Sequence, residues 1–457
     1  MAKYQKYAEY KDSGVEWLGE IPDHWQVSKV KYLAPFQVGW TPPTKDDANF
    51  IGENLWVNIS DLKGKTITST SKQISDKAAQ EASMDITPKG SLMYSFKLSV
   101  GAVSFAGCDM YTNEAIASFL DTSKLPLSFL YYVLPKFIIE NASTNIYGAK
   151  ILNQELIKNA SLLELPFKEA QIIANFLDHE TTKIDSLIEK QQQLIQLLKE
   201  KRQAVISHAV TKGLNPDVPM KDSGVEWLGE VPEHWVRYAI KNLCYVNDGN
   251  HGEEYPTEAD FVENGEGVPF IRAGDFEDFR VVSKNLRYIS HEKNNSMRKG
   301  RLQENDILFV NRGATIGKLC IIDNAYAGSN LNSQIAYLRA DKTLVDYRYL
   351  TYFLSSLYTQ TNIVSSIYGG ALPQYPIQNI INLDVWSGGL EEQSMIADYL
   401  DEQVQIIVYL IGKCELAIKL LQERRTALIS AAVTGKIDVR NWQNPNNNNE
   451  AKTELGA

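Results

Sequence analysis

Two short stretches carry the side chains best suited to gripping an anion or reading a base edge. Gly90 to Ala106 (GSLMYSFKLSVGAVSFA) offers Ser95, Lys97 and Ser99, and Asn305 to Ile322 (NDILFVNRGATIGKLCII) offers Asn311, Arg312 and Thr315. Each reads as a strand, a polar loop with small residues and glycine, and a second strand. Arginine and asparagine are the best bidentate readers of guanine and adenine, and hydroxyls and lysine bond phosphates. Any one of these residues alone is more simply a solvated hairpin position. What raises the pair is that both stretches place a cation before a small-residue turn at the corresponding point. No catalytic constellation accompanies them. Gly313 to Lys318 (GATIGK) is one residue short of a phosphate-binding loop and is followed by Leu319 rather than Ser or Thr. There is no metal-protease helix, nucleophile elbow or dinucleotide fingerprint, and the six histidines lie apart. Cys108, Cys244, Cys320 and Cys414 form no CxxC pair and are expected as buried or partly buried thiols. A chain of 457 residues without a recognisable active site is expected to work by binding.

The elements that must hold these loops are repeated. Lys11 to Trp25 (KDSGVEWLGEIPDHW) returns as Lys221 to Trp235 (KDSGVEWLGEVPEHW), identical at thirteen of fifteen positions. Glu169 to Leu214 then aligns without a gap on Glu392 to Ile437, and the two end alike, AVISHAVTKG against ALISAAVTGK. Between the repeats lie two unlike inserts, Gln26 to Phe167 and Val236 to Leu390. The chain is therefore a tandem duplication in which a shared frame presents two different readers. His24 and His234 sit in a Pro-acid-His-Trp turn, where packing or a backbone hydrogen bond accounts for them better than catalysis. Trp17, Trp25, Trp227 and Trp235 read as aromatic anchors of the same blocks. The inserts read as mixed α/β with many short strands, among them Asn54 to Asp61 and Val268 to Asp275.

From Leu177 apolar residues recur at heptad spacing through Ile184, Leu187, Leu194, Leu198 and Val205, and in the copy through Leu400, Ile407, Leu410, Ala417, Leu421 and Leu428. Each segment runs about 40 residues without proline, roughly 60 Å as a helix. Two heptad segments of matched length are expected to pair with each other. Gln191, Cys414, Lys201 and Arg424 are poor seam residues that can fix register, and Gly412 weakens its helix by about 1 kcal/mol relative to alanine. The fold class expected is α+β: two mixed α/β domains separated by two long helices, with an approximate two-fold axis if the helices run antiparallel. The boundaries are 1–167 for the first domain, 168–213 for the central helix, 214–390 for the second domain, 391–438 for the C-terminal helix and 439–457 for a flexible tail. No stretch approaches the run of about 20 apolar residues that spans a bilayer, and the start lacks the apolar core of a signal peptide, which points to the cytoplasm.

The repeated KDSGVEWLGE block resembles that of the specificity (S) subunits of type I restriction-modification systems. The match extends through GWTPPTKDDANFIGENLWVNISDLKG and DGNHGEEYPTEADFVENGEGVPFIRAGDF, and through IYGAKILNQELIKNASLLELPFKEAQ and IYGGALPQYPIQNIINLDVWSGGLEEQ. The resemblance covers nearly the whole chain to about Asp438. It implies two target-recognition domains on an antiparallel coiled coil that acts as a ruler, reading an asymmetric, bipartite DNA sequence with one half-site per domain. It also implies a non-catalytic subunit that holds two methyltransferase (M) subunits and joins restriction (R) subunits. S-adenosylmethionine, ATP and Mg would belong to those partners, with no cofactor in this chain. The family's DNA-facing loop follows a Tyr-Gly pair, here Tyr147-Gly148 and Tyr368-Gly369. Position by position this adds Lys150, Asn153 and Gln154 in the first domain, and Gln374 and Tyr375 in the second. A coiled-coil adaptor without sequence-specific DNA binding is the competing class.

Net charge is −10, whereas nucleic-acid binders are usually basic. The acidic excess lies largely in the frame and the tail, each recognition domain is close to neutral, and phosphate contact is local. Partner subunits can supply much of that contact. No arginine occurs between Gln26 and Pro166, so bidentate arginine–guanine readout is unavailable there, whereas the second insert has Arg272 and Arg312 in candidate loops. Replacing Arg312 by Ala is expected to relax discrimination at one base of its half-site by about 1–3 kcal/mol. An unchanged sequence preference in that variant would remove Arg312 from the reading set.

Overall fold

The proline-free repeats fold as two long helices, Phe167–Lys212 and Leu390–Val433. The structure, a computed structural model, describes residues 4–81, 85–97, 99–144, 148, 150–226, 228–367 and 373–445. It divides into two units, 1–190 with 417–457, and 191–416. In the first unit the early part of the first long helix lies beside the late part of the second, with Arg425 gripping Asp185 through Nε and Nη2 at 2.8 and 3.3 Å. In the second unit Leu198, late in the first helix, packs with Ile407 and Cys414, early in the second. The pairing is therefore antiparallel.

The expected seam residues Leu177, Ile184, Leu198, Leu400, Ile407 and Leu428 are buried, and the seam departs from expectation by a single residue at three positions. Leu187, Leu194 and Leu410 are 47, 42 and 42 % exposed, while Ile188 packs on the first unit's core and Ile195 and Ile411 line the small helix-pair core of the second. One residue is about 100° around a helix, which moves a side chain from the seam to its flank. Cys414, a weak seam residue by type, is buried in it.

Each insert builds a main sheet and a smaller one on the same plan. In the first unit the main sheet runs, in spatial order, Phe36–Val38, Ile116–Phe119, Leu92–Ser95, Val103–Ala106 and Thr66–Ile67. In the second the order is Cys244–Asp248, Ile335–Ala340, Ile307–Val310 and Leu319–Ile321. The smaller sheet of each contains one parallel pairing, Trp56 with Tyr111 and Phe270 with Asn330. The central strands of each main sheet bury all four residues, and a helix, Leu127–Phe137 or Tyr347–Ser355, shares their core. Among the described residues no helix is long and apolar enough to cross a membrane. Cys244, Cys320 and Cys414 are buried and Cys108 is half-buried.

The repeated block is fastened to its helix through side chains: His24 packs against Tyr7 and Trp25 as expected, and the hydrogen-bond partner of each histidine is a carboxylate rather than backbone. Glu169, in the first turn of the first long helix, accepts the Trp25 indole N–H at 3.0 Å and the Tyr7 hydroxyl at 2.8 Å, and its other oxygen lies 2.8 Å from His24 Nε2. Glu392 repeats this with Trp235 at 3.1 Å and His234 at 2.8 Å. A carboxylate there also meets the positive end of the helix dipole. Each block also meets a long-helix end. Gly213 and Gly435 end the helices at φ +75° and +69° and sit against Trp235 and Trp25, where an added Cβ would lie 3.6 and 3.1 Å from the indole. Lys212 and Lys436 donate to the carbonyls of Glu230 and Glu20. Gly and Lys are transposed between the two copies, yet the two lysines reach equivalent carbonyls of the repeated block. The tail expected to be flexible from 439 is packed at its start: Val439 is buried, and the Trp442 ring lies 5.8 Å from Phe176 and 5.5 Å from His179. Trp17 packs edge-on to Phe137 at 5.0 Å, and Trp227 lies outside the described residues.

Replacing Glu169 by Ala leaves three donors without their carboxylate in a site where the side chain is 7 % exposed, and should cost about 3 kcal/mol. Glu392, 32 % exposed with two donors, should cost about 1–2 kcal/mol when similarly replaced. Thermal unfolding of the two variants checks the ranking; equal losses would contradict it.

Candidate nucleic-acid interface

The two cation loops occupy the same place in the two domains. The residue after the central strand donates its N–H to the neighbouring chain, Phe96 to Ala115 O and Asn311 to Gln334 O, both at 3.0 Å. The loop then returns through Ser95 N–H to Ala102 O at 2.9 Å and Val310 N–H to Lys318 O at 3.0 Å. Gly101 and Gly317, at φ +92° and +88°, each donate back across it at 2.9 Å. Lys97 and Arg312 are thus equivalent, and the second loop is longer by one residue, since 317 − 312 exceeds 101 − 97 by one. Ser99 and Thr315 are exposed in the loops.

Around the equivalent cations the two domains differ. Lys97 Nζ is exposed, 3.7 Å from Glu114, which also accepts the Thr41 hydroxyl. Partial burial alone would raise the Glu114 carboxyl; the hydrogen bonds from Thr41 and its own backbone, with the Lys97 charge, outweigh it and hold the group below the ordinary carboxylate range. Arg312 Nη1 lies 3.5 Å from His251 Nδ1, and His251 Nε2 lies 2.9 Å from Asp248. A guanidinium only donates, so this geometry suits a neutral imidazole with its proton on Nε2, directed at Asp248. Lys299 adds a second cation 3.4 Å from Asp248. Arg312 Nε is buried with no hydrogen-bond partner. Gly39 and Gly249 permit the approach of chains beneath these sites: a Cβ would lie 1.8 Å from Thr112 O and 2.6 Å from Asn332 O. Thr41, Glu114, Asp248, His251 and Lys299 were not singled out by sequence, although Thr41, Asp248 and His251 fall within the GWTPPT and DGNHGEE stretches.

Several expected contact residues are committed elsewhere. Ser95 is fully buried and donates to Lys97 O at 3.0 Å, bracing the loop. Asn311 is fully buried, both its amide atoms without a hydrogen-bond partner. Tyr375 is 2 % exposed, its ring centroid 6.1 Å from that of Phe309, and burial pushes its phenol up to about 12. Arg272 forks onto Asp275 with two bonds of 2.9 Å and donates to Asn285 O at 2.7 Å, so its donors hold the turn together. Asn153 caps the helix Gln154–Asn159 by accepting Leu156 N–H at 2.8 Å. Lys150, Gln154 and Gln374 are exposed. In the second domain the two candidate loops are zipped together: Arg312 bridges Gln374, Tyr375 N–H donates to Asn311 O at 2.8 Å, and Gly313 N–H donates to Pro373 O at 3.0 Å. In the first, Lys150 and Ile151 instead pair with Thr144 and Ser143. Gly148 is exposed at φ +79°; Tyr147, Tyr368 and Gly369 lie outside the described residues. What the two loci present is a cation with a hydroxyl or imidazole beside it at a sheet end, suited to hydrogen-bonding phosphates and base edges.

Residues 22–197 and 232–412 match the model of the type I restriction modification DNA specificity domain. The chain is 22 % identical to the MjaIX type I restriction enzyme specificity subunit of Methanocaldococcus jannaschii, over 96 % of this chain and 99 % of that one. It is 25 % identical to the EcoBI specificity subunit of Escherichia coli, over 86 % and 81 %. Among solved structures, a chain from a study of complex assembly and conformational transition in the type I R-M system superposes with a TM-score of 0.69 at 15 % identity, covering 90 % of this chain and 98 % of that one. The HsdS subunit from Thermoanaerobacter tengcongensis gives 0.51 at 15 % identity, covering 91 % and 98 %.

Because Tyr375 is a core residue, its replacement by Phe should change stability by less than about 0.5 kcal/mol, and its replacement by Ala should cost about 3–4 kcal/mol. Denaturant unfolding measures both. A destabilising Phe variant would mean that the hydroxyl has a partner in solution.

Proposed function

The chain belongs to the type I restriction-modification DNA specificity family, and we infer that it is the DNA sequence-recognition subunit of such a system, reading a bipartite, asymmetric site. The observation that carries this is the structural equivalence of Lys97 and Arg312 on a duplicated frame, each with different polar neighbours. One position offered twice with different chemistry is what two unlike half-sites require. The lysine domain can contact phosphates and single acceptors, and the arginine domain can fork onto a guanine. A plain adaptor gains nothing from this arrangement and is not favoured.

The subunit itself carries no chemistry in this reading. It directs adenine methylation by two methyltransferase subunits, and restriction by further subunits that use ATP and Mg; S-adenosylmethionine belongs to the methyltransferases. This reading places the chain in the cytoplasm. Exposed apolar side chains on the helices favour protein partners: Leu197, Tyr409 and Leu416 of the second unit are 60, 61 and 50 % exposed, and Leu187 and Leu420 of the first 47 and 55 %. With a methyltransferase beside each domain, the acidic frame need not meet phosphate, and the antiparallel helices fix the spacing between half-sites.

Co-expression with the methyltransferase subunits, followed by sequencing of modified bases, tests the reading. It predicts adenine methylation within one asymmetric two-part sequence of constant spacer. A stable complex that modifies no defined sequence would contradict it. Replacing Leu197 and Tyr409 by Glu should reduce recovery of the methyltransferase with the tagged chain at least about tenfold, the equivalent of 1.4 kcal/mol, while its thermal unfolding is unchanged; undiminished recovery would remove this face from the interface.

A further inference from the structure

Each recognition domain is clasped to the first long helix at one topologically shared place, by ion pairs of opposite polarity. In the first unit Phe105 N–H donates to Lys65 O at 2.7 Å, and Lys65 Nζ lies 2.6 Å from Asp178 on the helix and 5.5 Å from the Tyr131 ring centroid. Asp178 also accepts the Tyr132 hydroxyl at 2.5 Å. In the second unit the equivalent bond runs from Ile321 N–H to Phe279 O at 2.8 Å. The residue before it, Asp278, lies 2.5 Å from Arg202 Nη1 on the helix. The guanidinium covers the Phe279 ring at 5.3 Å, and that ring stands edge-on to Tyr352 at 5.7 Å. One domain therefore brings a cation to a helix acid, and the other an acid to a helix cation.

These clasps belong to the inserts and not to the frame. Arg425, the repeat of Arg202, grips Asp185 on the companion helix instead. Asp401, the repeat of Asp178, accepts the Tyr352 hydroxyl at 2.7 Å and Arg348 at 3.0 Å. The acid position keeps a tyrosine hydroxyl in both units but takes a different cation, Lys65 on Asp178 and Arg348 on Asp401, and the arginine position changes its partner altogether. The second clasp is also held under strain: Asp278 and Phe279 form the two-residue turn between Phe276–Glu277 and Arg280–Val281, at φ +46° and +63° with no glycine at either position. A cleft of about 400 Å³ lies beside it, lined in part by Lys199, Arg202, Asp278, Phe279, Lys318 and Gln360.

We propose that Lys65–Asp178 and Asp278–Arg202 are positioning contacts that set the angle of each recognition domain on the helix pair, and with it the number of base pairs between the half-sites. This rests on the DNA-recognition reading above and extends it to residues that need touch no DNA. The test is the spacer distribution of methylated sites in the assembled methyltransferase complex. Arg202→Ala and Lys65→Ala should keep both half-sites but raise the share of sites whose spacer is one base pair longer or shorter by about fivefold, whereas Arg202→Lys and Lys65→Arg, which keep the charge, should restore the parental distribution. Lys65 is half exposed, so its alanine variant is expected to fold even if that at Arg202 does not. Alanine variants with the parental spacer distribution, or with altered bases in a half-site, would overturn the proposal. A wild-type complex that methylates no defined sequence would overturn the functional reading itself.

Discussion

Two carboxylates at the starts of two helices organise the rest of the molecule. Glu169 and Glu392 each draw a tryptophan N–H and a histidine nitrogen onto the first turn of a long helix. An anion there is favoured by the helix dipole and, once part-buried, needs donors aimed at it. Those donors are the last two residues of the repeated block, so the block cannot shift without stranding the charge. Each block also receives the end of a long helix through a left-handed glycine and a lysine-to-carbonyl bond. In the first unit that helix is Leu390–Val433, so this frame is assembled from segments distant in sequence.

Such a frame tolerates unlike inserts because it constrains only their ends. Gln26–Lys29 pairs with Ser161–Glu164, and Val236–Ala239 pairs with Asp384–Ser387, so each insert leaves and rejoins its frame through one antiparallel pair of strands. Beyond that pair the domains share sheet order and loop geometry while changing side chains. Phe96 of the first core becomes Asn311, Lys97 becomes Arg312, and Thr41 becomes His251, so that the cation's neighbours change from a Glu114–Thr41 pair to an Asp248–His251 pair. Specificity can then change without disturbing the contacts that hold the frame.

Much of this was legible in the sequence, because duplication is visible as identity and sheet strands as apolar runs ending in turns. The equivalence of Lys97 and Arg312 could be read for the same reason: each follows a buried strand at a matching point. What escaped depends on contacts distant in sequence. Tyr375 is buried because residues 373–375 bond back to 311–313, and no local pattern announces that pairing. Arg272 offered a signal that was missed, an aspartate three residues on across a glycine, ready to occupy its guanidinium. Heptad spacing puts Leu187 and Leu194 in the seam, whereas the seam positions are Ile188 and Ile195, since leucines one residue off a heptad look like seam until the partner helix is in place.

The central claim is that the frame is indifferent to which insert it carries, and that each insert reads its half-site alone. A chain carrying Val236 to Leu390 in both frames tests it directly. Sequencing of methylated DNA from its complex with the methyltransferase subunits should show a palindromic two-part site built from the second half-site twice. Methylation of an asymmetric site by that chain would contradict the claim.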